Sequence, residues 1–139
     1  MDTRQTTKAA RLFVQNGTRP RNTEEQSAYL RAYLLKSPAC PREIVEACAE
    51  QMAALIRGED VILIPVPGST GDTSQNLWLA YRIAHAHQGE AQVIDILTRS
   101  EPVESQCKRH RRGQAPLRPE ALKITVRPHK PCALKRIYF

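Results

Sequence analysis

The chain has 139 residues, of which 41% are hydrophobic and 25% charged, a balance that suits one soluble globular domain with a modest core. No apolar run approaches the roughly 20 residues of a membrane span, and Met1-Asp2-Thr3-Arg4-Gln5 lacks the apolar stretch of a signal peptide, so a cytoplasmic protein with no membrane partner is expected. The formal net charge of +7 is uneven: residues 1–98 sum to −1 and residues 99–139 to +8. Such a field suggests anionic partners, either nucleic acid or phosphorylated metabolites, with a plain solvated surface as the simpler alternative.

Residues 1–22 are polar and basic around one apolar patch, Leu12-Phe13-Val14, and read as an N-terminal basic arm with a short strand. The remainder, 23–139, reads as a single α/β domain. Asn22 or Thr23 can cap a first helix, whose Glu24 and Glu25 fall where the helix dipole favours acids and whose Tyr29, Leu30, Tyr33 and Leu34 follow at helical spacing. Ser37-Pro38 stops it. Pro41 fits the first position of a second helix, with Ile44, Val45, Cys48, Met52, Leu55 and Ile56 near one face and Gly58 at its end. Cys40, Cys48, Cys107 and Cys132 are widely spaced without a C-x-x-C pair, and Cys48 reads as a small core residue.

A strand is predicted over 61–66, where Val61-Ile62-Leu63-Ile64-Pro65-Val66-Pro67 gives way to Gly68-Ser69-Thr70-Gly71. Neither proline can donate to a ladder, so the strand must finish there. Gly68 and Gly71 permit positive φ and close approach by a ligand, and Ser69, Thr70 and Thr73 bring hydroxyls to the start of the next helix. Strand, glycine-hydroxyl loop and helix together form an arrangement able to hold phosphate, with an ordinary βα turn as the bland alternative. Neither the Walker glycine-lysine pattern nor G-x-G-x-x-G is present. A third helix follows from about Thr73 to His87, then a strand from Ala91 to Leu97. Residues 99–120, basic and broken by Pro102, Gly113, Pro116 and Pro119, read as a long exposed loop or broken helix, anchored only by Val103 and Cys107. Weaker strands are predicted at Leu122–Val126 and Ala133–Phe139. Strand, helix, strand implies a parallel pair. The fold class is therefore α/β, a small, mainly parallel sheet with flanking helices, whose binding crevice lies beyond the carboxyl ends of its strands, at residues 67–73. His85 and His87 lie on different helix faces, and His110 and His129 are scattered, so no metal site is expected.

The order of these pieces resembles a type I phosphoribosyltransferase of the competence-protein-F-like branch, over roughly residues 55–139. The residues that carry the likeness are Ile64-Pro65-Val66-Pro67 before a small-residue loop, Gln75-Asn76-Leu77 opening a helix, Val93-Ile94-Asp95-Ile96-Leu97-Thr98-Arg99, the Ser- and Arg-rich segment Ser105–Gly113, and Leu134–Phe139. The resemblance implies a phosphoribosyltransferase-like sheet and a glycosyltransferase reaction on phosphoribosyl pyrophosphate, with magnesium as that substrate's companion. It implies that Gly68, Ser69, Thr70 and Gly71 form the pyrophosphate loop, and that Arg99, Arg109 and Arg112 cover leaving-group charge. Asn76 would orient that loop or, as the preferred alternative, cap the helix. The departure concerns the adjacent acidic pair followed by Thr-Thr-Gly that holds the ribose and the 5′-phosphate. After Leu97 the acids are Glu101, Glu104 and Glu120, none paired. The chain is then either a truncated portion or a degenerate relative, and as it stands is expected to be inactive. The rival reading is a non-catalytic nucleic-acid- or protein-binding relative that uses the cluster Lys108-Arg109-His110-Arg111-Arg112. That cluster lacks interleaved aromatics, and no helix-turn-helix, zinc finger or RNA-recognition motif accompanies it.

Overall fold

The computed structural model describes residues 21–129 and 136–139. Most of the expected basic arm, including the Leu12–Val14 strand, and the first part of the final strand lie outside the described residues. Helix α1 spans Thr23–Leu35, and the Asn22 side chain accepts from the Glu25 N–H at 2.8 Å, as its capping chemistry predicts. Helix α2 spans Arg42–Leu55. Pro41 stands one place earlier than expected. It is the capping residue, with ψ 136°, and the first helical position falls to Arg42. Gly58, at φ +77°, lets the chain leave α2 in the left-handed region.

Strand β1 is Val61–Leu63, helix α3 is Ser74–Ala86 and strand β2 is Ala91–Val93. The expected parallel pairing of β1 and β2 is present, with Val61 opposite Ala91 and Leu63 opposite Val93. Helix α3 is the crossover between them. The last described strand of this sheet, Arg136–Tyr138, also runs parallel to β1, so β1 is central. Along β1 the side chains alternate. Val61 and Leu63 pack with Ala49, Ala53 and Ile56 of the α2 region and Ala80 and Ile83 of α3, while Ile62 and Ile64 pack with Ile96 in a second cluster. Burial on both faces explains the unbroken apolar run of this strand.

The single strand expected over Ala91–Leu97 is not formed. The Ile94 N–H makes a last bond to the Leu63 carbonyl at 2.9 Å, and the chain then leaves the sheet. Beyond Leu63 the neighbouring chain runs into Pro65, which has no N–H to offer, so a longer β2 would lack a ladder. Residues Leu97–Arg99 instead form β3, antiparallel to β4 at Ile124–Val126, in a separate two-stranded sheet. The Thr98 and Thr125 hydroxyls meet across it at 2.8 Å. The strand Arg136–Tyr138 is accordingly β5. The expected strand at Leu122–Val126 starts two residues later, because a 3-10 turn occupies Pro119–Leu122 and Lys123 takes a left-handed φ of 57°. Within the basic segment a short helix α4 spans Gln106–Arg111. Among the described residues no helix is long and apolar enough to cross a membrane.

Candidate functional site

The loop after β1 is tight. The Gly68 N–H donates to the Asp72 carbonyl at 2.9 Å, and the Gly71 N–H donates to the Gly68 carbonyl at 3.0 Å. Gly71 sits at φ +91°, a conformation that side chains rarely adopt. At Gly68 a Cβ would stand 3.2 Å from the Asp72 carbonyl oxygen. The positive φ expected at both glycines is thus found at Gly71 and not at Gly68, where a side chain would only be tightly placed.

Three contacts hold this loop against the rest of the molecule. The Asn76 amide, on the first turn of α3, donates to the Val66 carbonyl at 2.6 Å. The capping alternative preferred from the sequence is therefore corrected: Asn76 ties the loop's entry. Arg99, on β3, donates to the carbonyls of Gly68 at 2.9 Å, of Pro67 at 3.4 Å and of Leu122. The Val103 N–H donates to the Ser69 carbonyl at 2.8 Å. The break between β2 and β3 is what brings Arg99 to this place. Its guanidinium donors face carbonyls, so Arg99 acts as a clamp rather than as a free leaving-group cation.

Capping of α3 falls to Asp72. One carboxylate oxygen accepts from the Ser74 N–H at 2.9 Å and from the Ser74 hydroxyl at 2.6 Å. These two bonds, the hydroxyl first, hold the Asp72 carboxyl below the usual carboxylate range. A negative side chain thus already stands at the positive end of α3. Room for an external anion lies within the loop itself, where the N–H groups of Ser69 and Thr70 meet no acceptor among the described residues. Thr70 is exposed, and Ser69 and Gly71 are partly so.

The remaining two expected cations are engaged by an acid. Arg109 and Arg112 both pair with Glu104, Arg109 at 3.2 Å, and Arg109 also donates to the Ala115 carbonyl at 2.9 Å. Glu104 was no part of the sequence expectation. Its spacing of five and eight residues from the two arginines fits no helical pairing rule, and the contact depends on the turn into α4. The sequence reading also missed Asp95. It lies just beyond the carboxyl end of β2, and its Oδ1 is buried without a hydrogen-bond partner. The available signal was a lone acid inside the apolar run Val93–Leu97. Among the described residues no group of three or more His, Cys, Asp or Glu side chains is placed to hold a metal ion. Comparison with known proteins returns no matching family model, no matching curated protein and no matching solved structure.

The site thus offers two unengaged N–H groups, two hydroxyls and a rigidly clamped backbone at the carboxyl end of a central parallel strand. That combination can cradle an anion.

Proposed function

We propose that the chain is a phosphoribosyltransferase-like module that holds pyrophosphate, or the diphosphate of a phosphorylated ribose compound, in the Gly68–Gly71 loop, without transferring the ribosyl group by itself. The observation that carries this reading is the clamped glycine-hydroxyl loop with unengaged Ser69 and Thr70 N–H groups at the end of β1. The parallel β2-β1-β5 order with α3 crossing over supports it. Catalysis is not part of the proposal, because no adjacent acidic pair running into Thr-Thr-Gly is present to position a ribose and its 5′-phosphate. Positioning and charge stabilisation supply most of the acceleration in such transfers.

The test is an amide NMR titration of the 139-residue chain with pyrophosphate. Saturable shifts confined to Ser69, Thr70, Gly71 and their neighbours are expected, lost in Gly71→Val, whose side chain cannot follow the loop's φ. Unmoved loop amides at saturating pyrophosphate overturn the reading. A short oligonucleotide serves as the parallel arm. Shifts in α4 alone, falling steeply with salt, would favour a nucleic-acid-binding relative instead.

A further inference from the structure

A cavity of about 560 Å³ lies among α1, α2, α3 and the carboxyl ends of β1 and β5. Its walls are mostly apolar, formed by side chains such as Leu35, Met52, Leu55, Ile64, Leu79 and Phe139. Arg31 of α1 is its cation. The Arg31 Nε is buried with no hydrogen-bond partner, and no acid among the described residues forms an ion pair with the side chain. The two polar amides of the lining, Gln51 and Asn76, leave this cation without a counter-charge, and the Asn76 amide is already donated to Val66.

We propose that this cavity binds an apolar monocarboxylic acid, an alkanoate or arylalkanoate of medium length, with Arg31 as its counter-ion. The volume falls within the range of small-molecule sites, which bury most of their ligand against apolar walls and orient it with few polar groups. The buried Arg31 Nε–H without an acceptor is costly, and a carboxylate is the planar anion that matches the guanidinium fork. The ligand is a monoanion because one cation lines the cavity and no further donors gather beside it to replace the hydration of a second charge. Its body is apolar because the walls are. The site adjoins the pyrophosphate loop, since Val66 and Asn76 line the cavity and also hold the loop's entry, but it differs in chemistry, and Arg31 is no part of the loop, so Arg31→Gln tests this reading without testing the other.

The experiment is calorimetric titration of the full 139-residue chain with octanoate, decanoate and decan-1-ol, each below its aggregation limit. Decanoate is expected to bind one to one and roughly tenfold more tightly than octanoate, since each buried methylene contributes up to about fourfold. Arg31→Gln is expected to weaken decanoate at least tenfold and to leave decan-1-ol unchanged, with Arg31→Lys intermediate. A circular dichroism spectrum identical to wild type establishes that the variant is folded. Ala32→Phe, which fills the cavity from α1, is expected to abolish binding of both ligands and serves as a second test should Arg31→Gln not fold. Absence of saturable decanoate binding overturns the proposal. So does equal weakening of acid and alcohol by Arg31→Gln, the mark of a generic apolar surface. Sedimentation as a dimer that decanoate does not dissociate also overturns it, because the cavity is then a contact between copies.

Discussion

Arg99 directs its guanidinium to three carbonyls, those of Gly68, Pro67 and Leu122, and thereby joins the loop after β1 to the chain entering β4. Hydrogen bonds from a charged donor contribute about 1.5–3 kcal/mol when partly buried. Arg99→Met should therefore lower stability by about that amount in urea titration and speed hydrogen exchange at Gly68 and Gly71. Arg99→Lys should rescue little of this, because a single ammonium cannot span the three acceptors. Gly89 is constrained differently. It sits at φ +136°, and a Cβ there would stand 2.8 Å from both the Glu59 carbonyl oxygen and His87 Nε2, which are themselves joined at 2.7 Å. Gly89→Ala should cost about 1–3 kcal/mol, read as a lower denaturation midpoint with unchanged slope. At Asp72 the folded state depresses the carboxyl pKa through the Ser74 hydroxyl and then the Ser74 N–H. A depressed folded value means that this contribution is present above the unfolded value of about 3.9 and is lost as pH falls through the folded one. Glu25 beside Arg21 and Glu46 beside Arg42 are shifted in the same direction. Thermal stability should hold from neutral pH to about 5 and fall below about 4, and Asp72→Asn should flatten part of that fall.

At the scale of elements, helix starts and stops were legible from local chemistry. Asn22 or Thr23, with Glu24 and Glu25 in the first turn, marked the start of α1, where Asn22 is the cap, and Gly58 marked the exit from α2. The break in Val93–Leu97 was not legible within its own segment, because it is set by a neighbour. Pro65 ends the ladder that β2 would need, and Ile96 turns into the second apolar cluster as the chain departs. Likewise, Asn76, preferred from the sequence as a helix cap, reaches back with its amide to Val66, ten residues earlier. In the basic segment around α4, Glu104 engages both Arg109 and Arg112, so these two cations are less available to an external anion than their number suggests. Glu104→Gln should release both guanidinium groups. The variant should elute later than wild type from a heparin column, at a salt concentration more elevated than one charge on an unstructured surface would require. Identical elution would show that the two arginines are already accessible to polyanions with Glu104 in place.

For the whole molecule, β1 is the hinge of the architecture because it pairs on both sides and packs on both faces. Strand β5 reaches it from the far end of the sequence, with the Ile64 N–H donating to the Tyr138 carbonyl at 2.8 Å and the Tyr138 hydroxyl donating to Glu59 at 2.7 Å. Deleting residues 136–139 should open one edge of β1 and abolish cooperative thermal unfolding. Tyr138→Phe should cost only about 1 kcal/mol, the net worth of one hydrogen bond. Sequence by itself determined the α/β class, the positions of the first three helices, the parallel partnership of β1 and β2, and the glycine loop between them. Each of these depends on local periodicity, on capping chemistry or on residues with restricted backbone freedom. Tertiary structure alone decided the separation of β3 from β2, the clamping of the loop by Arg99, the pairing of Arg109 and Arg112 with Glu104, and the cavity lined in part by Arg31. Those features depend on pairs of residues distant in the chain or brought together by an irregular turn. Their energies arise from which donors find acceptors and which charges find partners once the chain is packed.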